Sequence, residues 1–342
     1  MRLQTLLAAA LPASAAPASP NTYGRLENLV SFGDSYTDEG RFDYFVQHRQ
    51  APPLGQMLPP SNSTYSGGYA WGRFVANATG AKYYNYAVGG AQCSNNIDSR
   101  NLDVVNGPFP SVLEYEIPTF EQDLHYADLY PDRRADNTIY TLWIGTNDLG
   151  IDGILGDKNK AGTTISTYMS CIWSVFDSIY RTGGRHFVLF NQAPLEHAPM
   201  YATPGQSGRG NNQYWKNPTA YNITQYSSKL REYTTSVNTL YDYGAPFFLK
   251  VKRRYPGATF SIFDIHSLTM DVINKPGEYL DAPANVTAPY RICLDSCVSS
   301  DQPMSSFIWY DELHPSERMD MIYSKEFIEV VKGTSKYGTY YT

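Results

Sequence analysis

Short apolar runs alternate along this chain with stretches in which apolar residues recur every three or four positions. Runs at Leu29 to Phe32, Ala81 to Tyr86, Thr138 to Ile144, His186 to Phe190 and Thr259 to Phe263 have the length of strands. Helical spacing covers Phe42 to Val46, about Gly72 to Ala78, Ile117 to Tyr126, Thr164 to Arg181, Tyr221 to Tyr243 and Met319 to Val331. Pro118 suits the opening turn of its helix, where an N–H is not needed. Strands separated by helices predict a doubly wound α/β fold with a parallel sheet covered on both faces. Segments 47–70, 91–112, 193–219 and 274–306 are rich in Pro, Gly, Ser and Asn and read as loops. None has the low complexity of an interdomain linker, and no internal repeat is present, so one domain is expected over residues 25–338. Chemistry in such a sheet belongs beyond the carboxyl ends of the strands.

Composition narrows the partners. The 342 residues are 42% hydrophobic and 18% charged, a chain that folds, and its net charge of −6 leaves nothing to neutralise phosphates. The basic run Lys250 to Arg254 is interrupted by Val251 and followed by Tyr255-Pro256-Gly257, the solvated end of a helix, and nucleic acid is not an expected partner. At the amino end, Arg2 precedes an apolar stretch from Leu3 to Leu11 and then Ala13, Ser14 and Ala15, so residues 1–16 read as a secretory signal peptide. No later stretch is long and apolar enough to span a bilayer, and no membrane partner is expected. Sequons at Asn62, Asn77, Asn222 and Asn285 agree with export to an extracellular location. Four cysteines allow two disulfides in three connectivities; Cys293 and Cys297 enclose a short loop that a bridge would close, leaving Cys93 and Cys171. The six histidines are scattered without metal-ligand spacing, so neither metal nor cofactor is expected.

Candidate chemistry starts directly after the first strand, at Gly33-Asp34-Ser35-Tyr36-Thr37-Asp38-Glu39-Gly40. A serine on a strand-to-helix turn is exposed beside backbone amides able to stabilise an oxyanion, although alone it is equally an N-cap. Near the carboxyl end stands Trp309-Tyr310-Asp311-Glu312-Leu313-His314-Pro315-Ser316. Asp311 and His314, three apart on a turn, are spaced so that the carboxylate accepts the imidazole Nδ1–H while Nε2 faces outward. Asp264 and His266 are a weaker pair, because residues two apart at a strand end tend to diverge. Two further strand ends, Asn85-Tyr86-Ala87-Val88-Gly89-Gly90-Ala91 and Trp143-Ile144-Gly145-Thr146-Asn147-Asp148, supply a glycine amide and an asparagine amide as donors.

With GDSYTDEG, NYAVGGA, GTND and DELHP in this order, the sequence resembles the GDSL group of the SGNH hydrolases over about Leu26 to Val331. The resemblance implies a flavodoxin-like three-layer α/β/α sandwich, Ser35, Asp311 and His314 as triad, and Ser35, Gly90 and Asn147 as oxyanion donors, with Gly89 as the turn residue. Block two has Gly89 where the family pattern has Ser. Spellings around Gly68 to Phe74, Ala91 to Asn95, Pro108 to Glu116 and Gly183 to Asn191 look like secreted fungal acetylesterases of the carbohydrate esterase classes. The implied activity is removal of acetyl groups from hemicellulose-derived oligosaccharides, acetylxylan or acetyl-gluco/galactomannan fragments, by a monomer without a separate carbohydrate-binding module. Alternatives are a lipase or phospholipase acting on longer chains and an inactive carbohydrate-binding protein. Asp34, Trp71, Trp309 and Tyr310 are expected to contact substrate, the aromatics as flat faces of a sugar-sized groove.

Overall fold

The computed structural model describes residues 26–216 and 222–341; the signal peptide expected at residues 1–16 lies outside them. The elements begin with β1 (Asn28–Gly33), α1 (Arg41–His48), α2 (Trp71–Thr79), β2 (Lys82–Asn85) and a small hairpin of β3 (Asn101–Leu102) and β4 (Gly107–Pro108). There follow α3 (Ile117–Asp123), β5 (Thr138–Trp143), the one-turn α4 (Thr146–Leu149), α5 (Ile165–Arg181), β6 (His186–Phe190) and α6 (Ile223–Pro246). The chain closes with β7 (Thr259–Phe263), α7 (Ile265–Asn274), a second hairpin of β8 (Arg291–Cys293) and β9 (Cys297–Ser299), α8 (Glu317–Lys332) and β10 (Gly338–Tyr341).

The main sheet has six strands in the order β10-β7-β6-β5-β1-β2, parallel except for antiparallel β10 at one edge. Every predicted strand run enters this sheet, in the flavodoxin-like order that places the second strand on one side of the first and builds outward on the other. All residues of β1 and β5 are buried, because helices cover both faces; of their polar members, Thr141 donates to Ser31 at 2.8 Å, and Asn28 and Thr138 both donate to Asn137.

Alternation along the strands sorts aromatics into two layers. Tyr140, Phe187 and Phe260 point to the face covered by α3 and α5, meeting Phe120 and Phe176. Trp143, Phe190 and Phe263 point to the opposite face, where Trp71 of α2 and Phe327 and Tyr323 of α8 close over them. Helix ends are capped as their sequences suggest: Thr164 and Thr167 form a capping box for α5, and Ser316 caps α8.

Besides the one-turn α4 and the two small hairpins, two elements of the main layers escape the periodic reading. α7 starts without a connection after β7, and β10 is a single antiparallel edge strand. The alternative pair is also corrected here. Asp264 caps α7 by accepting the Ser267 amide at 2.9 Å and takes the Asn191 side-chain amide at 2.7 Å, so its carboxylate is engaged by the helix entrance, not by His266. The cysteines pair as Cys93–Cys171 and Cys293–Cys297.

Candidate active site

β1 lies between β5 and β2, so the loops leaving these three strands meet at one edge of the sheet. Ser35 is carried by the turn after β1, and buried carboxylates hold that turn. Asp34 accepts the Tyr36 amide at 3.0 Å, and Glu116 accepts the Gly33 amide at 3.0 Å. Asp38 accepts the amides of Gly40, Arg41 and Phe42 at the start of α1, then reaches across to the Gly89 amide at 2.7 Å. One carboxylate thereby fixes the loop after β1 against the loop after β2.

The fourth segment arrives from the far end of the chain. Residues 308–316 fold back on themselves, with Tyr310 N–H donating to the His314 carbonyl and Ser316 N–H to that of Ile308. The tip carries Asp311 and His314, and α8 begins immediately after. His314 Nδ1 lies 2.9 and 3.0 Å from the two Asp311 carboxylate oxygens, and Nε2 lies 2.8 Å from Ser35 Oγ across a sequence separation of 279. Asp311 also accepts the Leu313 and His314 amides. The carboxylate therefore sets the tautomer, with the Nδ1 proton on its side and the lone pair of Nε2 facing the serine hydroxyl.

Tyrosines enclose this line. The ring of Tyr65 lies 5.0 Å from the imidazole, tilted over it, while Tyr36 and Tyr214 present edges at 5.7 and 5.3 Å. Ser35 keeps only 7% of its surface accessible. Tyr65 also accounts for the departure in block two: a Cβ at position 89 would collide with the Tyr65 hydroxyl, so glycine is required there by the neighbouring ring.

The two glycines differ in their amides. That of Gly89 is bound by Asp38, whereas that of Gly90 has no acceptor among the described residues. Gly90 adopts φ +81°, a left-handed conformation suited to glycine, and its carbonyl accepts from the Arg100 guanidinium, which also bonds Gln92 and covers the Phe109 ring at 4.4 Å. Asn147 Nδ2 donates to the Ala91 carbonyl at 2.9 Å; its remaining contact, 3.5 Å from Asp34 Oδ2, is at the limit of a hydrogen bond. A cavity of about 260 Å³ lies beside Asn147, lined also by Ile151, Asp152, Gln213, Tyr214 and Leu313. A larger one, about 520 Å³ between α5 and α6, shares no residue with the site.

Burial pushes Asp311 up, but the His314 charge, the hydrogen bonds from His314 and Tyr214 and the Leu313 amide outweigh it and hold the carboxyl below its ordinary value. Asp34 moves the other way, to about 7, because burial outweighs the Tyr36 amide and the His314 charge. Asp148 also rises to about 7, by burial against the Cys93 amide and with the charge of Asp34 adding to it.

Among the expected substrate contacts, Trp71 and Trp309 are corrected. They are 0% and 1% exposed, Trp71 packed on Phe190 and Phe327 and Trp309 turned inward by its bridge to Pro315, so neither offers a face to a sugar. Asp34, 1% exposed, acts within the turn that carries Ser35 rather than at a surface. Tyr310 is half-buried, stacked on Tyr290 and hydrogen-bonded by Arg291 at 2.9 Å. Asn62, Asn77 and Asn222 are exposed; Asn285 is half-buried, its side-chain oxygen accepting the Thr287 and Ala288 amides. Sequence reasoning missed Asp38, Tyr65, Arg100 and the bond of Tyr214 to Asp311. Only Asp38 carried a signal, its place inside the GDSYTDEG block.

A doubly wound sheet bearing a hydrogen-bonded Ser–His–Asp line at its carboxyl edge agrees with what residues 29–327 match, the GDSL-like Lipase/Acylhydrolase family, and the chain belongs to that family of ester hydrolases. Within it, the chain is 45% identical over 326 residues to an acetylesterase of Hypocrea jecorina, covering 94% of this chain and 93% of that one. An acetylesterase of Thermothelomyces thermophilus is 24% identical, covering 90% and 88%. Among solved structures, an acetylxylan esterase from Geobacillus stearothermophilus superposes with a TM-score of 0.38 at 14% identity, covering 91% and 96%.

Proposed function

We propose that this chain is a secreted serine acetylesterase that removes acetyl groups from hemicellulose-derived oligosaccharides through an acyl-enzyme. The observation that carries the reading is the 2.8 Å contact of Ser35 Oγ with His314 Nε2, whose other nitrogen is bound by Asp311. His314 takes the Ser35 proton as Oγ attacks the ester carbonyl, and Asp311 stabilises the imidazolium that results. The tetrahedral oxyanion is held by the amides of Ser35 and Gly90 and by Asn147 Nδ2, which gives one N–H to Ala91 and has for the other only the 3.5 Å contact to Asp34. Collapse returns the proton from His314 to the departing sugar hydroxyl. Water activated by the same imidazole then releases acetate from Ser35.

Acetyl specificity is supported by the acetylesterase names of the two relatives and by the close tyrosine enclosure of Ser35. The cavity beside Asn147 has polar and apolar walls suited to a sugar. Export is supported by the amino-terminal leader pattern, the exposed sequons and the two disulfides, and no helix among the described residues is long and apolar enough to cross a membrane. The test is hydrolysis of p-nitrophenyl acetate and octanoate by the native chain and by Ser35→Ala, followed by acetylated xylo-oligosaccharides. Acetate hydrolysis should exceed octanoate hydrolysis, and the substitution should remove activity by about a thousandfold or more. Octanoate preference would make the chain a lipase, and retention of activity by Ser35→Ala would end the assignment of the nucleophile.

A further inference from the structure

One partly buried polar contact at the site is not used by the mechanism above. The Tyr214 hydroxyl donates to Asp311 Oδ2 at 2.6 Å, the length of a charge-assisted bond from a hydroxyl to a carboxylate, and lies 3.3 Å from His314 Nδ1. Tyr214 belongs to the long loop after β6, far in sequence from every catalytic block, and its placement is built rather than incidental. Asn212 Oδ1 accepts the amides of both Tyr214 and Trp215, and Trp215 is buried. Gln213 donates its amide to the Cys293 carbonyl and its side chain to Glu312 Oε2 at 3.0 Å. Glu312, wholly buried, takes the Cys293 amide through its other oxygen at 2.9 Å. Tyr214 is thus fastened to the residue next to Asp311 and to the disulfide hairpin.

We propose that Tyr214 is a positioning residue for the reaction, a fourth member of the hydrogen-bonded line; this rests on the triad reading. Asp311 has two oxygens facing His314, and the imidazole donates a single Nδ1 proton. The Leu313 and His314 amides hold Oδ1 but leave Oδ2 to be satisfied by another donor. The Tyr214 hydroxyl binds Oδ2 and leaves Oδ1, fixed also by the Leu313 and His314 amides, as the partner of Nδ1. The imidazole plane, and with it the aim of Nε2 at Ser35, follows.

The test compares Tyr214→Phe, Asp311→Asn and the double variant on p-nitrophenyl acetate. Tyr214→Phe keeps the ring and should lower kcat by about tenfold with KM within about twofold, the size expected for one charged hydrogen bond. In the Asp311→Asn background, itself down by about a thousandfold or more, the same substitution should change kcat by less than about twofold, since the group it acts through is gone. A similar loss in both backgrounds, or none in either, overturns the role of Tyr214 and leaves the triad standing. Full activity of Asp311→Asn overturns both. Tyr214→Ala, read alongside, should add a KM increase from loss of the cavity wall, which separates packing from the hydroxyl.

Discussion

Ser35, His314 and Asp311 were legible because their chemistry is local: a serine at a strand end, and an acid and a base three apart on one turn. Tyr214, Tyr65 and Arg100 act through contacts made across loops that have no period, and no pattern in 47–70, 91–112 or 193–219 marks one tyrosine or arginine above another. Trp309 shows the opposite error. Standing two residues from Asp311, it was read as lining the site, but the bridge between positions 309 and 315 turns its indole inward. Tyr65 is where a specificity prediction belongs. Its ring lies against His314 at one end and its hydroxyl against Gly89 at the other, so it spans from the imidazole to the loop after β2. Tyr65→Ala should raise the octanoate to acetate ratio of kcat/KM by about tenfold, the scale of a few methylenes admitted to a pocket. Chain-length profiling of the variant decides it; an unchanged ratio would move the acyl limit elsewhere.

At the level of elements, the parallel strands and most flanking helices were readable from apolar spacing, while α7, parted from β7 by Asp264 alone, and β10, four residues long, were not. The two disulfides serve different elements. Cys93–Cys171 ties the loop of Gly90 to α5 over a separation of 78 residues, and closing a loop of that size restrains the unfolded chain by about 4 kcal/mol. Cys293–Cys297 spans 4 residues and restrains little, but its hairpin holds Gln213 and Glu312 beside Asp311. Replacing the first pair by serine should lower the melting temperature substantially. Replacing the second should leave melting nearly unchanged and reduce kcat on p-nitrophenyl acetate several-fold, a dissociation that calorimetry and kinetics on the two double variants measure together.

For the whole molecule, the buried carboxyls share one electrostatic tendency. Burial raises Asp34 and Asp148 to about 7 from 3.8, and raises Asp38, Glu116 and Asp320 as well. The unfolded chain loses these protons near the ordinary value while the folded chain keeps them, so the stability they contribute is complete below 3.8 and declines as pH rises towards about 7. Asp311, held low, has the opposite sign, and its contribution is lost in acid below its ordinary value. His186 and His197, lowered from 6.5 by burial, oppose the trend at the acid end. The melting temperature should therefore fall between pH 5 and pH 7.5, a range set by the value of about 7 for Asp34 and Asp148, and Asp148→Asn should flatten that fall. A native profile that rises over the range would show that these acids ionise freely. The separation of 279 residues between Ser35 and His314 acts on another timescale. A ribosome adding about 5–20 residues per second needs on the order of tens of seconds to travel from nucleophile to base. Until then the emerging polypeptide holds a serine with no partner, and hydrolytic power arrives only after the segment carrying Asp311 and His314 has been made.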